Sequence, residues 1–407
     1  MKCGLLGRKL GHSYSPQIHA LLGNYSYQLF EKEPEEIGDF LKNGDFTGLN
    51  VTIPYKKEVI PFLDELSPAA ARLGAVNTIV RRDGKLIGHN TDYFGFRRLV
   101  QESGLQVAGK KVLVLGSGGA SSTAVAVLQE LGAKVTVISR SGENNYENLE
   151  RHADAAVIAN TTPVGMYPNT GKSALSLEGF PRLEGVLDAV YNPARTQILL
   201  DAERRGLAAV NGLWMLVAQA KESAEWFTGE EIPDSRIAKI HHTLRLQMEN
   251  IILIGMPGCG KTAVGQQLAQ KLGKKFVDAD ESLEARVCRK IIDIIPNDGE
   301  AAFREMESET LAELGKQSGL VIATGGGCVT QPQNYPLLHQ NGTIFWLKRE
   351  LDKLPTDGRP LSQKGTLGQM YEARMPLYLR FADAAISNDG SIAETSSAIC
   401  RKLEETT

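Results

Sequence analysis

Four groups of residues in this 407-residue sequence have types and spacings that suit chemistry. Gly255-Met256-Pro257-Gly258-Cys259-Gly260-Lys261-Thr262 fits G-x-x-x-x-G-K-S/T and is followed by Ala263 and a helix-like stretch. In such a loop the backbone N–H groups cradle phosphates, Lys261 neutralises the β and γ oxygens, and the Thr262 hydroxyl can ligate Mg²⁺, so ATP is the expected co-substrate. Downstream stand Asp278-Ala279-Asp280, Gly299-Glu300-Ala301-Ala302-Phe303-Arg304, Gly325-Gly326-Gly327, Arg359-Pro360-Leu361 and Arg374-Met375-Pro376-Leu377-Tyr378. Asp280 can take a proton from a hydroxyl nucleophile, two arginines can clamp a carboxylate through forked hydrogen bonds, and a glycine triplet lets backbone amides reach a substrate that a side chain would displace. This is the inventory of a kinase acting on a small molecule.

A second glycine-rich turn, Gly116-Ser117-Gly118-Gly119-Ala120-Ser121, joins a β-branched run to a helix-like stretch, as a pyrophosphate at a helix N-terminus requires. The following apolar run ends in Ser139-Arg140-Ser141, where an acidic residue would hold the free ribose hydroxyls of NAD. An Arg and two hydroxyls suit a 2′-phosphate, which points to NADPH/NADP. Ahead of this turn lie His12-Ser13-Tyr14-Ser15-Pro16, Gly48-Leu49-Asn50-Val51-Thr52-Ile53-Pro54-Tyr55-Lys56, Gly74-Ala75-Val76-Asn77-Thr78 and Asn90-Thr91-Asp92-Tyr93-Phe94-Gly95. Short hydroxyl and amide side chains at these turns could converge on a polyol, with Lys56 as proton donor and Asp92 as its ionic partner. Singly, each segment also reads as ordinary turn chemistry.

The elements that must position these residues are short apolar runs alternating with amphipathic stretches, the pattern of α/β domains with largely parallel sheets. Residues 111–115, 134–138, 156–159, 185–190 and 208–210 are expected as strands of one sheet, and residues 251–254, 275–277, 320–323 and 343–347 as strands of another. Between the sets, Ile237, Ile240, Leu244 and Met248 carry a helical spacing over residues 234–248, with Asp234 or Ser235 as the cap. The next strand starts almost at once, so the linker is minimal and the two halves should sit close together.

Taken together and in this order, the polar segments resemble the shikimate dehydrogenase family from residue 4 to about residue 245. The likeness continues through Asn160-Thr161-Thr162-Pro163-Val164-Gly165-Met166, Asp188-Ala189-Val190-Tyr191-Asn192-Pro193 and Met215-Leu216-Val217-Ala218-Gln219-Ala220. It implies Ser13, Ser15, Asn50, Thr52, Asn77, Asp92 and Gln219 around the substrate, Lys56 and Asp92 as the catalytic pair, Tyr191 beside the substrate, and Gly212 and Met215 near the nicotinamide. The implied reaction is reduction of 3-dehydroshikimate to shikimate by NADPH. From residue 249 to about residue 400 the chain resembles shikimate kinase. That implies Asp280, Arg304, Gly326 and Arg374 around shikimate, Asp278 supporting Mg²⁺ through water, and Arg359 reaching the phosphates from a lid.

The sequence departs from these families at Lys9, usually Pro, at Ser139, usually Asn, and in a segment 347–359 several residues shorter than the usual lid. The expected organisation is a dehydrogenase over 1–248, in which residues 1–95 and helices 213–248 bind the substrate and residues 96–212 form a Rossmann domain, then a P-loop kinase over 249–407. The alternatives are a quinate dehydrogenase fused to a kinase, which predicts NAD and a quinate preference, and a half that has kept its fold as a binding or regulatory module.

Composition is consistent with small-molecule enzymes. The 45 basic and 48 acidic residues leave a net charge of −3, so no global field would attract nucleic acid or an anionic membrane. Five widely spaced cysteines, with neither a CxxC nor a His at zinc-ligand distance, fit reduced thiols in a cytoplasm. No run reads as a signal peptide or a membrane span.

Overall fold

The computed structural model describes residues 1–11, 13–354 and 367–405, and in it the chain forms two compact units. One comprises residues 1–164, 173–191 and 198–242; the other comprises 165–172, 192–197 and 243–407.

The first unit holds two sheets. Its six-stranded sheet runs Ser26–Glu31, Lys2–Gly7, Gly48–Val51, Thr78–Arg82, Lys85–His89, Glu65–Leu66 in spatial order. The strand pairs among Ser26–Glu31, Lys2–Gly7 and Gly48–Val51 are parallel, whereas Thr78–Arg82 pairs antiparallel with both of its neighbours. All four residues of Gly48–Val51 are buried, and Leu6, Leu49, Val51, Tyr55, Val76 and Ile79 form one core cluster beside it. Asn50 and Thr52 therefore leave a rigid strand end.

The second sheet is wholly parallel: Ala208–Val210, Gly185–Asp188, Val157–Asn160, Lys111–Leu115, Lys134–Ile138. Numbered along the chain, its order is 2-1-3-4-5, doubly wound, and it reverses direction beside its first strand, Lys111–Leu115. Such a switch point opens a crevice at the carboxyl ends of the strands, where the Gly116–Ser121 turn sits. The expected strand over 185–190 stops at Asp188 because the Asp188 carboxylate accepts the Val190 N–H at 2.9 Å, turning the chain away.

The second unit carries a five-stranded parallel sheet, Lys275–Asp278, Leu320–Ala323, Asn250–Ile254, Gly342–Lys348, Ala384–Ser387. Its first strand in sequence is central and fully buried, so the loop after Ile254 again opens at a switch point. Helix Ser235–Met248 ends one residue before this strand. Helix Ile291–Lys316 is broken at Gly299 (φ 90°, ψ 163°), so the stretch that bears Arg304 and Glu307 starts a fresh helical run. Among the described residues no helix is long and apolar enough to cross a membrane.

Candidate active sites

In the first unit a cavity of about 250 Å³ is lined by Ser13, Ser15, Asn50, Thr52, Lys56, Asn77, Asp92, Tyr191, Gly212, Met215 and Gln219, with Tyr14 among the remaining lining residues. Every substrate-facing residue expected for the dehydrogenase thus borders one space. His12 lies outside the described residues.

Lys56 is placed by its neighbours. Tyr55 is fully buried and its hydroxyl donates to the Lys32 carbonyl at 2.5 Å, while the Lys56 carbonyl accepts the Val76 N–H at 2.7 Å. The Lys56 ammonium donates to the Asp92 carboxylate at 2.5 Å. Asp92 opens helix Asp92–Glu102, where the helix dipole favours an anion. The pair is partly open, with side-chain exposures of 29% and 15%, so a substrate can reach the ammonium.

Helix Asp92–Glu102 packs closely on helix Leu213–Thr228, which carries Met215 and Gln219. At Gly95 a Cβ would lie 2.6 Å from the Met215 carbonyl and 3.0 Å from the Gln219 Cβ. Because backbone cannot yield as a flexible side chain can, Gly95→Val is expected to destabilise the first unit by about 1–3 kcal/mol. A lowered first transition in a thermal melt, with weakened reduction, is the corresponding measurement.

Behind the cavity runs a network that the sequence did not reveal. Tyr27 donates to Asn50 Oδ1 at 2.7 Å, and Asn50 Nδ2 donates to the Ser223 hydroxyl at 2.8 Å. Asn77 Oδ1 accepts the Thr91 N–H at 2.7 Å, and the Ser223 hydroxyl also meets those of Thr78 and Thr91 at 2.8 and 3.0 Å.

At the parallel sheet, helix Gly119–Glu130 begins at the end of the Gly116–Ser121 turn. A Cβ at Gly118 or Gly119 would meet only open space, so its absence leaves room for a bound phosphate group, whereas at Gly116 (φ 108°) one would approach Thr161 Oγ1 to 3.1 Å. Ala120 and Ser121 continue into the first turn. The Ser139 hydroxyl donates to the Ser141 carbonyl at 2.9 Å, closing its own turn. Arg140 is exposed and has no acidic partner among the described residues, and Ser141 is exposed beside it. Asn160 Nδ2 donates to the buried Asp188 carboxylate at 2.9 Å, tying two strand ends together beneath the crevice.

The second unit has a cavity of about 450 Å³ lined by Gly258, Gly260, Lys261, Thr262, Ala263, Asp278, Asp280, Arg304, Gly326 and Arg374, together with Pro257, Phe303, Glu307, Thr324, Gly325 and Gly327. Gly258 (φ 82°) and Gly260 (φ 97°) adopt left-handed backbone that side chains rarely tolerate. Gly255 and Cys259 support the loop from outside the cavity: Cys259 is fully buried, and its carbonyl accepts from Asn388 Nδ2 at 2.6 Å. Lys261 folds back onto the carbonyls of Gly255 and Met256 at 2.9 and 3.1 Å.

The Thr262 hydroxyl donates to Asp278 Oδ2 at 3.0 Å, while Asp278 Oδ1 caps helix Ala279–Val287 through the Asp280 and Glu281 N–H groups. Burial, then the neighbouring charges of Asp278 and Glu307, push the Asp280 carboxyl up to about 6, against the opposing pull of Lys261 and Arg304. Arg304 is itself buried and held by Glu307 at 2.8 Å. Arg374 Nη1 and the Tyr378 hydroxyl both donate to the Gly326 carbonyl, at 3.2 and 2.5 Å.

The glycine triplet is also required by its own surroundings. A Cβ at Gly325, Gly326 or Gly327 would lie 2.5, 2.7 or 2.3 Å from Glu307, Pro257 and Arg304 respectively, so the wall of the site itself leaves little room for side chains there. Glu307 was missed in sequence, although its i,i+3 spacing from Arg304 on a helix could have flagged it. Arg359 lies outside the described residues. Among the described residues no group of three or more His, Cys, Asp or Glu is arranged to hold a metal.

Comparison with known proteins agrees with both halves. Residues 257–404 match the shikimate kinase family model, and residues 5–79 match that of the shikimate dehydrogenase substrate binding domain. A shikimate dehydrogenase (NADP(+)) of Clostridium perfringens strain SM101 is 38% identical over 264 residues, spanning 60% of this chain and 97% of the relative. Among solved structures, shikimate dehydrogenase 1 from Peptoclostridium difficile superposes with a TM-score of 0.55 at 37% identity, covering 60% of this chain and 97% of its own. A chorismate mutase/shikimate 5-dehydrogenase fusion protein from Clostridium acetobutylicum gives a TM-score of 0.57 at 36% identity, covering 60% and 96%.

Proposed function

Because this chain belongs to the shikimate dehydrogenase family over the greater portion of its length and carries a shikimate kinase domain behind it, we propose that it performs two consecutive steps of the shikimate pathway. It reduces 3-dehydroshikimate to shikimate and then phosphorylates shikimate to shikimate 3-phosphate. Residues 1–248 form the dehydrogenase, in which residues 1–95 and 213–248 bind the substrate and residues 96–212 bind the nucleotide, and residues 249–407 form the kinase. The observation that carries this reading is that each half gathers polar groups of the kinds its reaction needs around one cavity.

In the dehydrogenase, Ser13, Ser15, Asn50, Thr52, Asn77, Tyr191 and Gln219 surround the polyol ring. Lys56 gives its proton to the ketone oxygen as that oxygen takes on charge, and Asp92 keeps the ammonium aimed. NADP fits the parallel sheet: the open space at Gly118 and Gly119, the helix N-terminus and the exposed Arg140 suit a pyrophosphate and a 2′-phosphate. When bound, it supplies the hydride. Gly212 and Met215 border the cavity where the nicotinamide must enter.

In the kinase, Asp280 takes the proton from the attacking hydroxyl, while Arg304 and Arg374 hold the shikimate carboxylate near Gly326. Lys261 leaves its carbonyl partners for the β and γ oxygens of ATP. The adjacent oxygens of Thr262 and Asp278 make a hard, oxygen-only set that suits Mg²⁺. When bound, the ion neutralises phosphate charge. Because only the ionised Asp280 accepts a proton, kcat/KM for shikimate is expected to fall as pH drops through about 6 and to level off above it. An initial-rate series from pH 5 to 8 measures this.

Incubating the full chain with 3-dehydroshikimate, NADPH, ATP and Mg²⁺ tests the whole assignment. Shikimate 3-phosphate is the expected product, formed in proportion to NADPH consumed. Equal or better turnover with quinate and NAD would replace the dehydrogenase assignment, and absence of either half-reaction would mark that half as non-catalytic.

A further inference from the structure

Ser223 does not border the dehydrogenase cavity. Its side chain is fully buried on helix Leu213–Thr228, one turn beyond Gln219. Yet its hydroxyl is where four elements meet. It donates to the Gln219 carbonyl at 2.9 Å, accepts from Asn50 Nδ2 at 2.8 Å, and meets the hydroxyls of Thr78 and Thr91. The Gln219 carbonyl can only accept, and with the Ser223 proton directed to it the Ser223 lone pairs face the Asn50 amide and the threonine hydroxyls.

That commitment propagates. Asn50 Nδ2 also points at the Asn77 carbonyl (3.4 Å) and Thr78 Oγ1 (3.2 Å), while its oxygen receives the Tyr27 hydroxyl. Flipping the amide would set Asn50 Oδ1 against the Asn77 carbonyl, acceptor against acceptor. The Asn77 oxygen is likewise bound to the Thr91 N–H, which leaves Asn77 Nδ2 for Thr91 Oγ1 at 3.0 Å and Gln219 Oε1 at 3.5 Å. Gln219 Nε2 is tied to the Leu216 carbonyl at 3.0 Å. The donor and acceptor ends of three amides around the cavity are therefore set before any substrate arrives. A hydroxyl both donates and accepts, so a ring bearing several of them is bound in a single pose only if the wall's own polarity is fixed.

We infer that Ser223 is a positioning residue for substrate recognition in the dehydrogenase: from behind the cavity, together with Tyr27 at the other end of the Asn50 amide, it fixes which end of that amide serves the polyol. The inference rests on the dehydrogenase assignment above.

The test is steady-state oxidation of shikimate with NADP⁺ by the full chain. In Ser223→Ala the KM for shikimate is expected to rise about tenfold, with kcat little changed and the KM for NADP⁺ unaltered. Tyr27→Phe keeps the ring and removes only the hydroxyl, so it supplies the same measurement should Ser223→Ala fold poorly, and it should shift KM in the same direction. The double variant should fall short of the product of the two single effects, because both act on one amide. An unchanged KM for shikimate in both single variants overturns the inference. So does a parallel loss in kcat and in NADP⁺ affinity, which would mean that the fold had merely loosened. If the unaltered chain does not oxidise shikimate at all, the dehydrogenase assignment fails instead, and the two outcomes are told apart by that control.

Discussion

Lys56→Ala is expected to lower kcat for 3-dehydroshikimate reduction by about 10²–10⁴-fold while leaving phosphorylation of added shikimate untouched. The size follows from the role proposed for Lys56: among the described residues it is the cation lining the first cavity, and its loss removes the proton donor to the reacting oxygen. Unfolding would not explain such a loss. Asp92 keeps the favourable field at the start of its helix when its partner is gone, and both side chains are partly open to water, so the unpaired carboxylate costs little. The checks are NADPH consumption for the first reaction and ADP release for the second, on the same purified sample. A variant that still reduced the ketone at the parental rate would remove Lys56 from the chemistry.

Asp280→Asn is expected to do the reverse, and to make the protein more stable as it does so. Without a base, transfer to the shikimate hydroxyl should slow by about 10²–10⁴-fold, while reduction continues. The stability gain has a definite sign. An acid whose folded value lies near 6 holds its proton more tightly in the native chain than in the unfolded one, where it titrates near 4. At neutral pH the native state therefore bears a cost to keep Asp280 ionised, and that cost fades as pH falls below about 6 and is gone below about 4. Asparagine removes it, a gain of roughly 1–3 kcal/mol at pH 7 and little at pH 4. Thermal melts of parent and variant at the two pH values should diverge at the higher and converge at the lower. A variant that loses activity and stability together at pH 7 would contradict this picture of a strained carboxylate.

Much of this was legible because it is local. The phosphate loop and the Gly116–Ser121 turn announce themselves through residues within eight positions, and the strands that carry them are continuous apolar runs buried on both faces. What escaped is long-range. Ser223 reaches Asn50 across 173 residues and Tyr27 reaches it across 23, so no window along the chain contains the reason for either. The mixed sheet of the first unit was unannounced for a related cause: the direction of the strand pairs at Thr78–Arg82 is set by which neighbours it meets, not by its own composition. Asp188 shows a third kind of limit, a residue that reads as strand but ends it with its own side chain. The substrate-facing set was identified only through resemblance, since serines and asparagines at turns carry no signature of their own until the fold draws them to one place.

The Gly325-Gly326-Gly327 loop has an evolutionary corollary. Its three missing side chains are the volumes taken by Glu307, Pro257 and Arg304, so the loop is a cast of its surroundings. A side chain there must displace a neighbour: at Gly325 and Gly327 the far end of a flexible side chain, but at Gly326 the Pro257 ring and its backbone N, 2.7 to 2.9 Å away. Lineages should therefore hold Gly326 more strictly than Gly325 or Gly327, an order imposed by shape.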